Sequence, residues 1–177
     1  MKRIIVIFLL IIPAFCFAQS KKALSHFWSI PWGTSIDRAA TIFEERNLTS
    51  SRHENTLMAE ATYEGEDGFI VLIFNRANRL YSAHVIYASS ADTSIPKYEH
   101  YRAVLFRRYG MSDTAVAYFE EPFVKGDGRE IEAIQSENAF FFTEWNFEDG
   151  CLASLSILSS LEVCLSFSNP AFADRSR

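Results

Sequence analysis

The chain has 177 residues, 49% of them hydrophobic and 15% aromatic, with 17 Lys and Arg against 22 Asp and Glu for a formal charge of −5. That length fits one domain with a core large enough to stand without staples. The acidic balance, with no block of like charges, disfavours nucleic acid and anionic membrane surfaces as partners, because both need clustered Lys and Arg.

Lys2 and Arg3 precede an apolar run from Ile4 to Phe17 and then Ala18-Gln19-Ser20. This is the pattern of a secretory signal peptide, and the run is shorter than the roughly 20 apolar residues of a bilayer span. Small Cys16 and Ala18 at alternate positions place cleavage after Ala18. Residues 1–18 are therefore expected to be a signal peptide. Residues 19–177 are then a single exported domain, periplasmic or secreted, with no stable membrane span and a formal charge of −7 once Lys2 and Arg3 are gone. Lipidation of Cys16 is the alternative, and bulky Phe15 directly before it argues against that processing.

Residues 19–26 read as a short polar leader free to move. Phe27, Trp28 and Trp32 then pin the start of a first helix, as a hydrophobic staple would. Thr34 or Ser35 caps that helix, Asp37 suits its first turn, Ile36, Ala39, Ala40 and Phe43 form its apolar stripe, and Asn47 closes it. Asn47 to Asn55 is polar and reads as a loop. Leu57, Ala59, Ala61 and Tyr63 alternate with polar residues as a strand with one dry face, Gly65-Glu66-Asp67-Gly68 turns, and Phe69–Phe74 is a strand apolar on both faces. A third strand runs Leu80–Tyr87.

A second helix starts at Ser94 as cap, with Pro96 in its first turn, Tyr98, Tyr101, Leu105 and Tyr109 on its apolar side, and Gly110 as stop. Ala115 to Glu121 is a strand, Arg129 to Ser136 fits either a short helix or an edge strand, and Ala139 to Phe147 is a strand that Asp149-Gly150 turns. From 151 to 167 every odd position except Ser159 is apolar. A hairpin keeps that set on one face only when paired positions sum to an even number, which a three-residue turn Ser159-Ser160-Leu161 supplies. In this register Cys151 faces the core and Cys164 faces away, so no disulfide forms and both thiols are free.

The predicted architecture is α+β in two layers: two tandem helix–β-meander units, residues 27–88 and 94–168, with the helices packed on one face of a mostly antiparallel sheet.

At Ile30-Pro31-Trp32-Gly33-Thr34-Ser35 the chain resembles small exported bacterial domains that open with a Trp-Gly turn and lay a helix on a meander. The β-lactamase inhibitory protein has two such units in tandem, and the small lipoprotein of the outer-membrane barrel-assembly machine has one. Arg107-Arg108-Tyr109-Gly110 is similar to the Lys-Tyr-Gly-Pro ending of the second helix in such proteins, with Met111 where Pro is expected. Trp145-x-Phe147 with Asp149-Gly150 fits the same plan. The resemblance implies a fold and carries no functional residues.

Chemistry-bearing motifs are sparse. His26, His53, His84 and His100 lie far apart, without a His or Cys at metal-ligand spacing, and no Ser sits in a nucleophile elbow or a Ser-x-x-Lys motif. Neither a metal nor any other cofactor is expected. Glu64 to Gly68 gathers carboxylates that a solvated turn explains as well as a cation does. Glu120-Glu121 has no partner acid at a glycosidase spacing. Asn47-Leu48-Thr49 matches a glycosylation sequon. Aromatic residues are the remaining signal: Phe140-Phe141-Phe142 must put neighbours on opposite faces, and Trp32, Tyr81, Tyr87, Phe141 and Trp145 are the candidates for an open, protein-binding surface. The expected function is a non-catalytic binding or scaffold module for a protein of the cell envelope. An enzyme inhibitor is the alternative, followed by a hydrolase whose site no motif reveals.

Overall fold

The computed structural model describes residues 21–174; the expected signal peptide, residues 1–18, and Cys16 lie outside them. The chain first makes a small hairpin, β1 (His26–Phe27) and β2 (Ile30–Pro31), and then helix α1 (Ile36–Glu45). Strands β3 (Ser50–His53), β4 (Thr56–Tyr63), β5 (Glu66–Phe74) and β6 (Leu80–Tyr87) follow. Helix α2 (Ser94–Tyr109), β7 (Thr114–Phe119), a short α3 (Glu130–Gln135), β8 (Ala139–Asn146), β9 (Leu152–Ile157) and β10 (Val163–Ser168) complete the domain, with a 3₁₀ turn at Pro170–Phe172.

Strands β3 to β10 form one antiparallel sheet in the order β3-β4-β5-β6-β10-β9-β8-β7. The two halves join in the middle, where β6 and β10 pair from Val163 opposite Tyr87 to Ser168 opposite Ser82. The fold is α+β with a mostly antiparallel sheet. One face packs under the helices: Ala59, Ile70, Val85, Leu165, Leu155 and Thr143 lie side by side across six strands and are all buried. Helix α1 adds Ile36, Ala39 and Phe43 to that core, and α2 adds Tyr98, Tyr101 and Leu105. A fully buried Phe stabilises by roughly 1.5 to 3 kcal/mol, so the aromatic content works chiefly here.

Local signals hold closely in α1. Ser35 Oγ accepts from the Arg38 N–H at 3.4 Å, and Asn47 takes a left-handed φ of 59° just past the end. In α2 the expected cap is displaced by one residue, because Ser94 is the first helical residue and is buried. The β9–β10 hairpin has the expected register, with Ile157 opposite Val163 and Leu161 at φ 77°. Cys151 is thus on the helix face and Cys164 on the other, both as free thiols.

Three expectations are corrected. Residues 50–53 form an edge strand rather than a loop; their polar side chains hide a ladder made by backbone groups, with Ser50 opposite Ala59 and His53 opposite Thr56. The turn after β4 is Glu64-Gly65, at φ 53° and 86°, so Glu66 and Asp67 belong to the next strand. Residues 21–26 are tied down: Lys21 Nζ donates to Asp113 Oδ2 at 2.5 Å, and the Leu24 carbonyl accepts from Trp32 Nε1 at 2.5 Å.

Candidate protein-binding surface

Side chains alternate across a strand, so the sheet has a second face, and no described element covers it. Phe69, Ile86, Cys164, Ser156, Phe142 and Val116 stand opposite one another in turn on β5, β6, β10, β9, β8 and β7. At the usual strand spacing this row is about 24 Å long. Phe69 is 50% exposed; near the other end, Phe140 and Tyr118 are 49% and 50% exposed with ring centroids 6.4 Å apart. Val71, Ile73 and Met58 widen the apolar zone on the β4–β5 side, each half-buried. Contiguous exposed apolar patches of this kind mark interaction sites on folded domains.

The neighbouring row is polar: His84, Ser166, Ser154 and Glu144 stand opposite one another on β6, β10, β9 and β8. His84 Nδ1 is 2.8 Å from Ser166 Oγ and its Nε2 is 3.2 Å from Ser82 Oγ. Cys164 Sγ is 3.4 Å from Ser166 Oγ and 4.0 Å from His84 Nδ1. Burial pushes the Cys164 thiol up and holds the His84 imidazole below its ordinary value. Both groups are neutral, the opposite of the thiolate–imidazolium pair that makes a cysteine nucleophilic. The strip offers hydrogen-bond donors and acceptors beside an apolar band, which is the mixture a protein interface uses. Among the described residues no group of three His, Cys, Asp or Glu gathers as a metal site, and no helix is long and apolar enough to cross a membrane.

Four of the five residues singled out from the sequence lie elsewhere. Trp32, Tyr87, Phe141 and Trp145 are buried in the core on the helix side. Tyr87 stacks on Tyr101 at 4.3 Å and fills the space over Gly68, where a Cβ would come within 2.9 Å of the Ile86 carbonyl oxygen. Its hydroxyl donates to the Tyr63 carbonyl at 3.0 Å. Phe141 meets Tyr98 edge-on at 5.6 Å, and Trp145 Nε1 donates to the Gly110 carbonyl at 3.0 Å, tying the end of α2 to β8. Tyr81 alone stays half-buried, at the bulge where β5 and β6 slip register. The open-face aromatics are instead Phe69, Phe140, Phe142 and Tyr118. Parity within each strand is the signal that separates the two sets.

Comparison with known protein families, with curated proteins and with solved structures finds no match.

Proposed function

We propose that this chain is an exported, non-catalytic binding or scaffold module that holds a protein of the cell envelope against the open face of its sheet. The observation that carries the reading is the unbroken row from Phe69 to Val116, apolar at five of six positions and uncovered by any described element. Leaving Phe69 and Phe140 half exposed forgoes burial worth on the order of 1 kcal/mol each, and a partner's surface recovers it. The helix-plus-meander resemblance supports a finer reading, in which α1 with β3–β6 and α2 with β7–β10 are two tandem units sharing one platform. The amino-terminal pattern of Lys2, Arg3 and the apolar run supports export.

The test pairs capture with folding controls. The protein purified after export is expected to retain one stoichiometric envelope protein. Phe69→Glu and Phe140→Glu should each abolish that capture while moving the unfolding free energy by no more than about 0.5 kcal/mol, as surface changes do. Capture that survives both substitutions would overturn the reading.

A further inference from the structure

The sheet also has an open edge. Among the described residues, strand β7, Thr114-Ala115-Val116-Ala117-Tyr118-Phe119, pairs only with β8, and it contains no charge, no proline and no bulge. Those are the devices by which sheets protect an edge from further pairing. The opposite edge, β3, has four residues and carries Arg52. Beyond β7, the Glu120 N–H continues the ladder to the Asn138 carbonyl at 2.7 Å. Alternate residues of an antiparallel ladder bond the same neighbour, so Ala115, Ala117 and Phe119 turn their N–H and C=O groups toward the open side.

Helix α2 does not reach over this last strand. Ala115 stands opposite buried Thr143 yet is exposed, and Ala117 likewise. Between α2 and β7 lies a groove of about 310 Å³, floored by Ala115, Ala117 and Phe141 and flanked by Arg102, Lys125 and Glu130, the last accepting from the Gly126 N–H at 2.7 Å. A second groove of about 460 Å³ adjoins it at Glu99 and Arg102 and passes Phe106, Arg107 and Met111, the last 76% exposed. Arg102 is paired with Glu99, whereas Arg107 and Lys125 make no ion pair among the described residues. An uncharged open strand therefore lies beside free cations in a chain whose net charge is negative.

We propose that β7 is a docking edge for an extended, acidic segment of a partner protein, which adds a strand to the sheet. Main-chain hydrogen bonds to Ala115, Ala117 and Phe119 supply the pairing, alternate apolar side chains enter the groove beside α2, and Asp or Glu residues meet Lys125 and Arg107. A second copy of this chain is the poorer occupant, since the acids it would bring lie only beyond the ends of β7, at Asp113, already bonded to Lys21, and at Glu120 and Glu121. The proposal rests on the reading of the chain as a protein-binding module and assigns a site and a ligand chemistry to it.

The experiment uses the exported protein and two labelled synthetic peptides, one alternating Val with Glu and one alternating Val with Lys. The Glu peptide is expected to bind, to weaken as salt is raised, and to slow hydrogen exchange at the Ala115 and Ala117 amides. Ala117→Pro removes an outward N–H and should weaken binding at least tenfold with the thermal melt unchanged, because edge positions accept proline. The double change Arg107→Glu and Lys125→Glu should do the same without touching the ladder. Equal binding of the two peptides, no binding of either, or unchanged affinity in both variants would overturn the proposal. So would self-association of the protein that Ala117→Pro abolishes. Capture of an envelope protein that Phe69→Glu destroys and Ala117→Pro spares would sink this proposal while leaving the open-face reading intact.

Discussion

Gly68 shows how one missing atom positions a whole side chain. Tyr87 of the adjacent strand lies over the gap and stacks on Tyr101, whose hydroxyl donates to Glu66 at 2.9 Å. Lys97 bonds the same carboxylate, which burial pushes up but these two hydrogen bonds bring below its ordinary range. Gly68→Ala puts a Cβ against the Ile86 backbone, which cannot swing away, and is expected to lower stability by about 1–3 kcal/mol in a denaturant titration. His84 gives a residue-scale effect of pH. Burial favours its neutral form, so the unfolded chain takes up a proton first as pH falls below 6.5. Stability from this group is complete above that value and is lost on the way down to the folded pKa. His84→Gln, which keeps bonds to Ser82 and Ser166 within reach, should flatten that part of the stability profile relative to the parent.

Among the elements, the hairpins decide which face each aromatic occupies. The pair Asp149-Gly150 suggests a two-residue turn, which would pair positions summing to 299 and turn Phe141 and Trp145 outward. The observed loop is Glu148-Asp149-Gly150, with Gly150 at φ 78° and Asn146 opposite Leu152, and the even sum sends both side chains into the core. The same parity rule was legible between β9 and β10, because alternation there runs unbroken through Cys151, Ala153, Leu155 and Ile157. It was illegible in β8, where Phe140, Phe141 and Phe142 make both faces apolar. Edge strand β3 was hidden for a related reason: alternation reports burial, and residues 50–53 bury almost nothing. The β9–β10 register makes a checkable statement about sulfur. A chain starting at residue 19 should give no rapid reaction with a thiol reagent at pH 8 while folded and two equivalents when unfolded, since burial lifts Cys151 to about 12 and raises Cys164 as well. One equivalent or none after unfolding would contradict it.

At the scale of the molecule, a single cluster of buried residues runs from Phe27 and Phe43 through Val85 and Leu165 to Trp145 and Phe147. The β6–β10 ladder continues that core across the junction of the two halves. Unfolding is therefore expected to be one cooperative event. Circular dichroism and tryptophan fluorescence should trace superimposable curves, in the parent and in Trp145→Phe, where only Trp28 and Trp32 in the first half report. Separated curves would mean that the segments before and after the β6–α2 connection unfold independently. The general plan of helices over an antiparallel sheet follows from the spacing of apolar residues. The open face and open edge follow from what fails to cover them, and single-residue patterns carry no record of that.

The bond between Lys21 and Asp113 places residue 21 beside the start of β7. Asp113 directly precedes β7, whereas Asp174 at the far end contacts the Arg76 amide in the turn joining β5 and β6. Strand β6 is four places from β7 in the sheet, roughly 19 Å away at the usual strand spacing. In a chain cut to begin at residue 21, a fusion partner joined there sits beside the unpaired rim and crowds it, whereas one joined at residue 174 leaves that rim free.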